Sequence, residues 1–226
     1  MQPKVLVGHD ASGLELRMLA HYMNDDDYIE KVQIKDKKND IHILNQKMAG
    51  LPTRDDAKTF IYAFNYGAGD AKVGSIIGKG AREGKAIKAK FLLNNPALAS
   101  LIKRVTGACG RGYLVGLDGR RLIMRCNPMN GQVMKHKALN TLLQGAGSVV
   151  MKHAMVLLDG YIKEGNLHSV KVIDMHDEAQ YECLPHEAEL HGELAVKSIR
   201  EAGKLLNLNC PLDAEYKIGA NWAETH

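Results

Sequence analysis

Aromatic side chains are scarce in this chain: phenylalanine, tryptophan and tyrosine make up 5% of its 226 residues. With so few rings, a tyrosine set among charges calls for a reason beyond packing. Cysteine is sparse as well. Cys109, Cys126, Cys183 and Cys210 stand singly with no Cys-x-x-Cys pair, which argues against a zinc site and a disulfide framework and fits a reducing compartment. Long apolar runs are missing too. The opening MQPKVLVGHDASG has no stretch long enough for a signal peptide, and no run nears the roughly 18 apolar residues of a membrane span. The expectation is therefore a soluble protein of the cytoplasm with no membrane partner. Neither charge sign is in large excess: a net charge of +4 and a pI near 8.8 permit a polyanionic partner without demanding one. No internal repeat or low-complexity linker interrupts the chain. What remains is 45% hydrophobic, and long enough for one large domain or two small ones with a real core.

The apolar periodicity divides the chain into elements. KVLVGHD reads as a strand ending at Asp10, followed by a helix in which Leu14, Met18 and Tyr22 recur at helical spacing. Ser12 with Glu15 three residues on fits a capping box. DDDYIEKVQIKDKKND reads as a charged, irregular surface excursion. A short helix is predicted from Asp40 to Gly50, and a second one opened by Pro52 and Thr53, with Thr53 and Asp56 as a cap pair and Gly67 and Gly69 closing it. Lys79 to Arg104 looks helical with a basic face, and GLDGRRLIMRC looks like a hairpin through Asp118 and Gly119. The longest helical stretch begins near His136, with Leu139, Leu142 or Leu143, Ala146, Val150 and Ala154 as its apolar stripe. VKVIDMHDEAQYEC is two strands joined at His176-Asp177-Glu178; a helix from Pro185 to about Leu206 and a strand with a tail complete the chain. This order predicts an α+β fold with Asp10 and Asp177 both at strand ends.

Two clusters carry chemistry. The acidic hairpin tip is either a polar turn facing water or a place where hard oxygen ligands hold a divalent cation. Arg54, Lys58, Tyr62 and Tyr66 are spaced four apart, so they share one oblique helix stripe that rises about 18 Å over its length. Its cationic end lies on the positive pole of the helix dipole and its other end is aromatic. That stripe is either a solvated basic turn followed by packed tyrosines, or a seat for a ligand with phosphates at one end and a flat ring at the other.

Taken together, DASGLELR, RDDAKTFIYAFNYG and HDE, with DIH, GLDGRR, LNTLLQGAG and NWAETH in the same order, resemble the motifs of family A DNA polymerases, most of all those of short-tailed bacteriophages. The resemblance covers nearly the whole chain. It implies a right-hand polymerase fold, with an antiparallel palm sheet over residues 1–38 and 136–226 and helical fingers over 39–135. It also implies transfer of a nucleotide from dNTP to a primer 3′-hydroxyl on template DNA, with Asp10, Asp177 and the Ala11 carbonyl binding two Mg2+ ions. Glu178 would lie just outside that shell. Arg54, Lys58 and His42 would face the triphosphate, with Lys58 able to protonate the pyrophosphate. Tyr62 would face the sugar, Tyr66 the base, and Glu15 would crowd out a 2′-hydroxyl and pair with Tyr66. His176 would touch the primer end, and Asn140 and Gln144 the minor-groove side of the duplex. Arg17, Arg120 and Arg121 match motif positions too, with salt bridging inside the palm as their expected use. In the family an exonuclease-type domain and a thumb come before the first catalytic strand, and nothing in this sequence corresponds to them. A separate chain supplying both is therefore an expected partner, and thioredoxin, which clamps the thumb in some phage relatives, is not expected to bind here. Single-subunit RNA polymerases share part of this pattern, and a non-catalytic DNA-binding module could keep the fold without turnover. Glu15 and the complete HDE favour the DNA enzyme.

Overall fold

The computed structural model describes residues 3–226. In chain order, β1 (Val5–Ala11) leads into α1 (Leu14–Met23), α2 (Asp26–Gln33), α3 (Ile41–Ala49), α4 (Arg54–Asn65), α5 (Asp70–Ser75), α6 (Ala81–Leu93) and α7 (Pro96–Ala108). The hairpin β2 (Tyr113–Val115) and β3 (Arg121–Ile123) follows, then α8 (Ala138–Glu164), β4 (Val170–Met175), β5 (Glu178–Cys183), α9 (Ala188–Leu205), β6 (Ala214–Gly219) and α10 (Trp222–Thr225). These elements fall into two compact units. One combines the chain up to Met18 with Ala146–His226, and the other is Leu19–Gly145.

In the first unit four strands form an antiparallel sheet in the order β4-β5-β1-β6. β5 has neighbours on both edges and is buried almost throughout, whereas β4 lies at the sheet edge with Val170, Val172 and Met175 exposed. A register shift between Lys171 and Ile173 distorts that edge, a common way to blunt further pairing. The core joins Val7, Ala179, Tyr181 and Cys183 of the sheet to Leu158 of α8 and to Ala188 and Ala195 of α9. By length and apolar content alone α8 could cross a bilayer. Its stripe of Ala146, Val150, Ala154 and Leu158 is instead buried in protein, as in the core helix of a globular fold.

The second unit is mostly helical. Three phenylalanines hold α4 against α6: Phe60 and Phe91 meet edge to face at 5.1 Å, and Phe64 meets Phe91 the same way at 5.4 Å. Such pairs contribute about 0.5–1.5 kcal/mol each beyond the area they bury. Gly84 lets α6 approach α5, because a Cβ there would lie 1.9 Å from the Asp70 carbonyl oxygen.

Three local expectations are corrected. The charged excursion contains α2, capped by Asp25, whose side chain accepts from Tyr28 N, and anchored by a buried Tyr28. The Lys79 to Arg104 segment is two helices, broken where Asn95 caps a new helix with Pro96 at its first position. In α1 the first helical bond runs from Arg17 N to the Gly13 carbonyl, so Ser12 stands one residue ahead of the cap expected of it; its own amide donates to Asp213 O. Elsewhere the caps follow the sequence: Asp40 opens α3, Gly50 closes it with φ 67°, and Thr53 and Asp56 form a reciprocal capping box on α4.

Candidate active site

In the first unit, β1 carries Asp10 one residue before its end, and the β4–β5 hairpin turns at His176 and Asp177. His176 has φ 56°, a left-handed backbone that suits a two-residue turn. The amide of Ala11 donates to the Asp177 carbonyl at 3.0 Å, so the hairpin tip is tied to the end of β1. Strand register sets Asp10 opposite Glu178 on one side and Glu215 on the other. Side chains directly opposite in an antiparallel pair share a face, so these carboxylates are neighbours.

The crowding is visible in Asp10. Its carboxyl is pushed up from 3.8 to about 6, first by burial, then by the charges of Asp177 and Glu178, with His226 pulling the other way. The residue as a whole is exposed, so surrounding protein strips part of the carboxyl's water without enclosing it in a cavity. Such a group carries negative charge that a cation would relieve. Among the described residues no three histidine, cysteine or acidic side chains converge into a self-sufficient metal cluster. The donor set that the resemblance implies, Asp10, Asp177 and the Ala11 carbonyl, is all oxygen, a chemistry that suits Mg2+, which favours hard oxygen donors and is usually held through one or two carboxylates while keeping several waters.

Glu178 is buried, and both of its oxygens are engaged. Its Oε1 accepts from Gln180 Nε2 and from Trp222 Nε1, each at 2.7 Å, and its Oε2 lies 2.5 Å from Nδ1 of His226. Burial alone would raise this carboxyl, but the three side-chain hydrogen bonds outweigh it and hold it below the ordinary range. Sequence reasoning found Glu178 and quoted Trp222, Thr225 and His226 within NWAETH without giving them a role, and it missed Gln180. A signal was present: Gln180 lies two places from Glu178 in the same strand and so on the same face, and Trp222 is the only tryptophan.

Arg17, also in this unit, is buried and donates to the carbonyls of Ser12 and Pro211, with the charge of Asp213 nearby. Glu15 lies half-buried on the first turn of α1.

In the second unit Arg54, Lys58 and Tyr62 of the predicted stripe lie on α4, and Tyr66 follows as its C-cap. Arg54 binds Asp40, the cap of α3, through Nε at 3.1 and 3.2 Å and through its Nη2. Asp40 therefore caps one helix and pins the first cation of the next. Its burial acts upward, but Arg54 and the Ile43 amide more than offset it, and its carboxyl sits below the ordinary range. His42 is buried with Nδ1 unpartnered among the described residues, and its ring lies 6.4 Å from that of Tyr62. Burial depresses its pKa first, and the charges of Arg54 and Lys58 act the same way, so the structure brings His42, Arg54, Lys58 and Tyr62 into one group. Lys58 is exposed, and no ion pair engages it among the described residues. Tyr66, 52% exposed, accepts at its hydroxyl from Gln144 Nε2 at 3.2 Å, and Asn140 lies half-buried one turn earlier on α8. Arg120 pairs with Asp118 within the β2–β3 hairpin, and Arg121 lies over the Tyr113 ring.

A family model described as DNA polymerase family A matches residues 1–224. The chain is 48% identical to the DNA-directed DNA polymerase of Escherichia phage Phieco32, over 99% of the chain and 40% of that protein. It is 39% identical to that of Escherichia phage T7, over the whole chain and 34% of that protein. Among solved structures, the POL domain of Pol1 from M. smegmatis, in complex with DNA primer-template and dNTP, superposes with a TM-score of 0.82 at 23% identity, over 98% of this chain and 40% of that one. This chain thus spans two fifths or less of the length of these proteins.

Proposed function

Because this chain belongs to DNA polymerase family A, we propose that it carries the nucleotidyl-transfer centre of a template-directed DNA polymerase, acting on dNTP and primer-template DNA. The observation that supports this most is the tie between the β1 end and the hairpin tip, with the Asp10 carboxyl raised to about 6 by protein that includes Asp177 and Glu178. In this reading the primer 3′-oxygen attacks the α-phosphorus of dNTP, the bond to pyrophosphate breaks, the hydroxyl proton passes to water, and Lys58 gives a proton to the departing pyrophosphate. Two Mg2+ ions, held by Asp10, Asp177 and the Ala11 carbonyl, would supply charge neutralisation and a more acidic attacking hydroxyl. Arg54, Lys58 and His42 take the triphosphate, Tyr62 the sugar and Tyr66 the base, and His176 touches the primer terminus. Asn140 and Gln144 follow the minor groove, whose acceptors occur in every base pair and so report correct pairing rather than sequence. Palm over 1–38 and 136–226, fingers over 39–135, and grip on the duplex from a thumb and exonuclease outside these residues belong to the same proposal. Primer extension by the purified chain, with and without a polypeptide carrying those parts, is the direct test; extension by neither would sink the proposal.

Two further tests probe single residues. Asp40→Asn keeps an acceptor for the α3 cap but removes the charge that holds Arg54. Stability should change by less than about 1 kcal/mol, while the KM for dNTP rises several-fold at unchanged kcat, read from steady-state extension. Glu15→Ala should raise incorporation of ribonucleotides relative to deoxyribonucleotides by up to about 10²-fold. An unchanged ratio would remove Glu15 from sugar selection.

A further inference from the structure

Gln180 is a side-chain amide with no exposed surface, and both of its ends are used. Its Nε2 donates to Glu178 Oε1 at 2.7 Å, and its Oε1 accepts from Thr225 Oγ1 at 2.8 Å. Glycine at position 8 makes room for this: a Cβ there would lie 2.3 Å from Gln180 Nε2 and 2.6 Å from the Thr225 carbonyl oxygen. Three elements, β1, β5 and α10, therefore meet at one amide. Trp222 Nε1 and His226 Nδ1 add donors to the same carboxylate from α10 and the residue after it.

A carboxylate offers about four acceptor positions. Three of those of Glu178 are occupied by protein donors, so roughly one remains and a bidentate grip on a cation is blocked. We propose that Gln180 is a positioning residue that, through Glu178, limits the number of protein ligands at the Asp10–Asp177 site: the chain from Thr225 to Gln180 to Glu178 holds the glutamate as a fixed neighbouring charge rather than a third ligand. This rests on the reading of Asp10 and Asp177 as a Mg2+ site. It goes beyond that reading by giving Gln180, Thr225 and Gly8 a part in metal choice. Mg2+ demands near-octahedral geometry with few protein carboxylates, whereas Ca2+ accepts six to eight oxygens in flexible geometry. Releasing Glu178 therefore favours Ca2+.

The test is Mn2+ binding to the full 226-residue chain, followed by paramagnetic resonance and competed with Mg2+ or Ca2+. Gln180→Met keeps the bulk and loses the amide, Thr225→Val loses only the upstream hydroxyl, and Thr225→Ser keeps it. Both disrupting variants should raise the affinity ratio of Ca2+ to Mg2+, by about 10-fold or more for Gln180→Met, within the range seen when partners of metal ligands are removed, while Thr225→Ser keeps the parent ratio. A merely structural role would weaken both ions together and leave the ratio unchanged, which overturns the proposal. Thr225→Val makes the smaller change and settles the matter by itself if Gln180→Met does not fold. Asp10→Asn separates the two layers of argument: Mn2+ binding undiminished in that variant refutes the metal-site reading itself, whereas an unchanged ratio in the Gln180 and Thr225 variants refutes only the positioning role.

Discussion

At pH 8 the Asp10→Asn chain should lose primer extension by on the order of 10³-fold or more, yet melt at a higher temperature than the parent. On the proposed reading, the loss of rate follows from removing a ligand whose cation would offset several kcal/mol of developing charge, at about 1.4 kcal/mol per factor of ten. The gain in stability follows from the Asp10 carboxyl, whose folded-state pKa of about 6 lies above the ordinary 3.8. Between those two values the folded chain keeps a proton that the unfolded chain has released. The stability tied to that proton is complete below the unfolded value and is lost as the pH rises through 6. Above pH 6 the ionised carboxylate repels Asp177 and Glu178, and the asparagine relieves that repulsion. The difference in melting temperature should therefore be near zero at pH 4, open between pH 4 and 6, and stay constant above. Thermal melts across that range check it, and a variant that melts lower at pH 8, or a difference that closes with rising pH, contradicts the electrostatic account. Mg2+ should raise the melting temperature of the parent more than that of the variant, since only a ligand that prefers the folded chain shifts the equilibrium.

Much of this arrangement was legible in the residues because it is local. Thr53 and Asp56, Asp40 and Gly50 mark helix ends by chemistry confined to a single turn, and the structure keeps all of them. The hairpin at His176 and Asp177 and the long helix α8 follow from periodicity in the same way. The failures are equally physical. Asp25 is as good a cap as Asp40, but the charges around α2 hid the single buried ring, Tyr28, that holds the helix down. The break between α6 and α7 rests on the Asn95-Pro96 pair, which a basic periodicity spanning both helices concealed. At the acidic site, the two strand ends were readable but what surrounds Glu178 was not. Gln180, Trp222 and Thr225 come together only through strand register and the return of α10, and contacts 45 residues apart in sequence, such as Thr225 to Gln180, leave no periodic trace.

Lys58→Ala should slow extension by about 10² to 10⁴-fold in kcat, the usual cost of losing a general acid. The choice of Lys58 over its neighbours rests on which group holds a proton it can give. Arg54 is bound to Asp40 and its pKa is raised further by that bond, so it keeps its protons at any working pH. His42 is driven down, first by burial and then by Arg54 and Lys58 against the opposing charges of Asp40 and Asp55, so it holds a proton less readily than an ordinary imidazole. Lys58 lies on the same face of α4 one turn after Arg54, is exposed, and no carboxylate pairs with it among the described residues. A side chain so placed is open to an arriving triphosphate. Lys58→Arg provides the decisive contrast, because it restores the charge but not a transferable proton. If Lys58 acts as the acid, the arginine variant recovers the KM for dNTP while kcat stays low. If Lys58 serves only to bind phosphate, Lys58→Ala raises KM with little change in kcat, and Lys58→Arg recovers both.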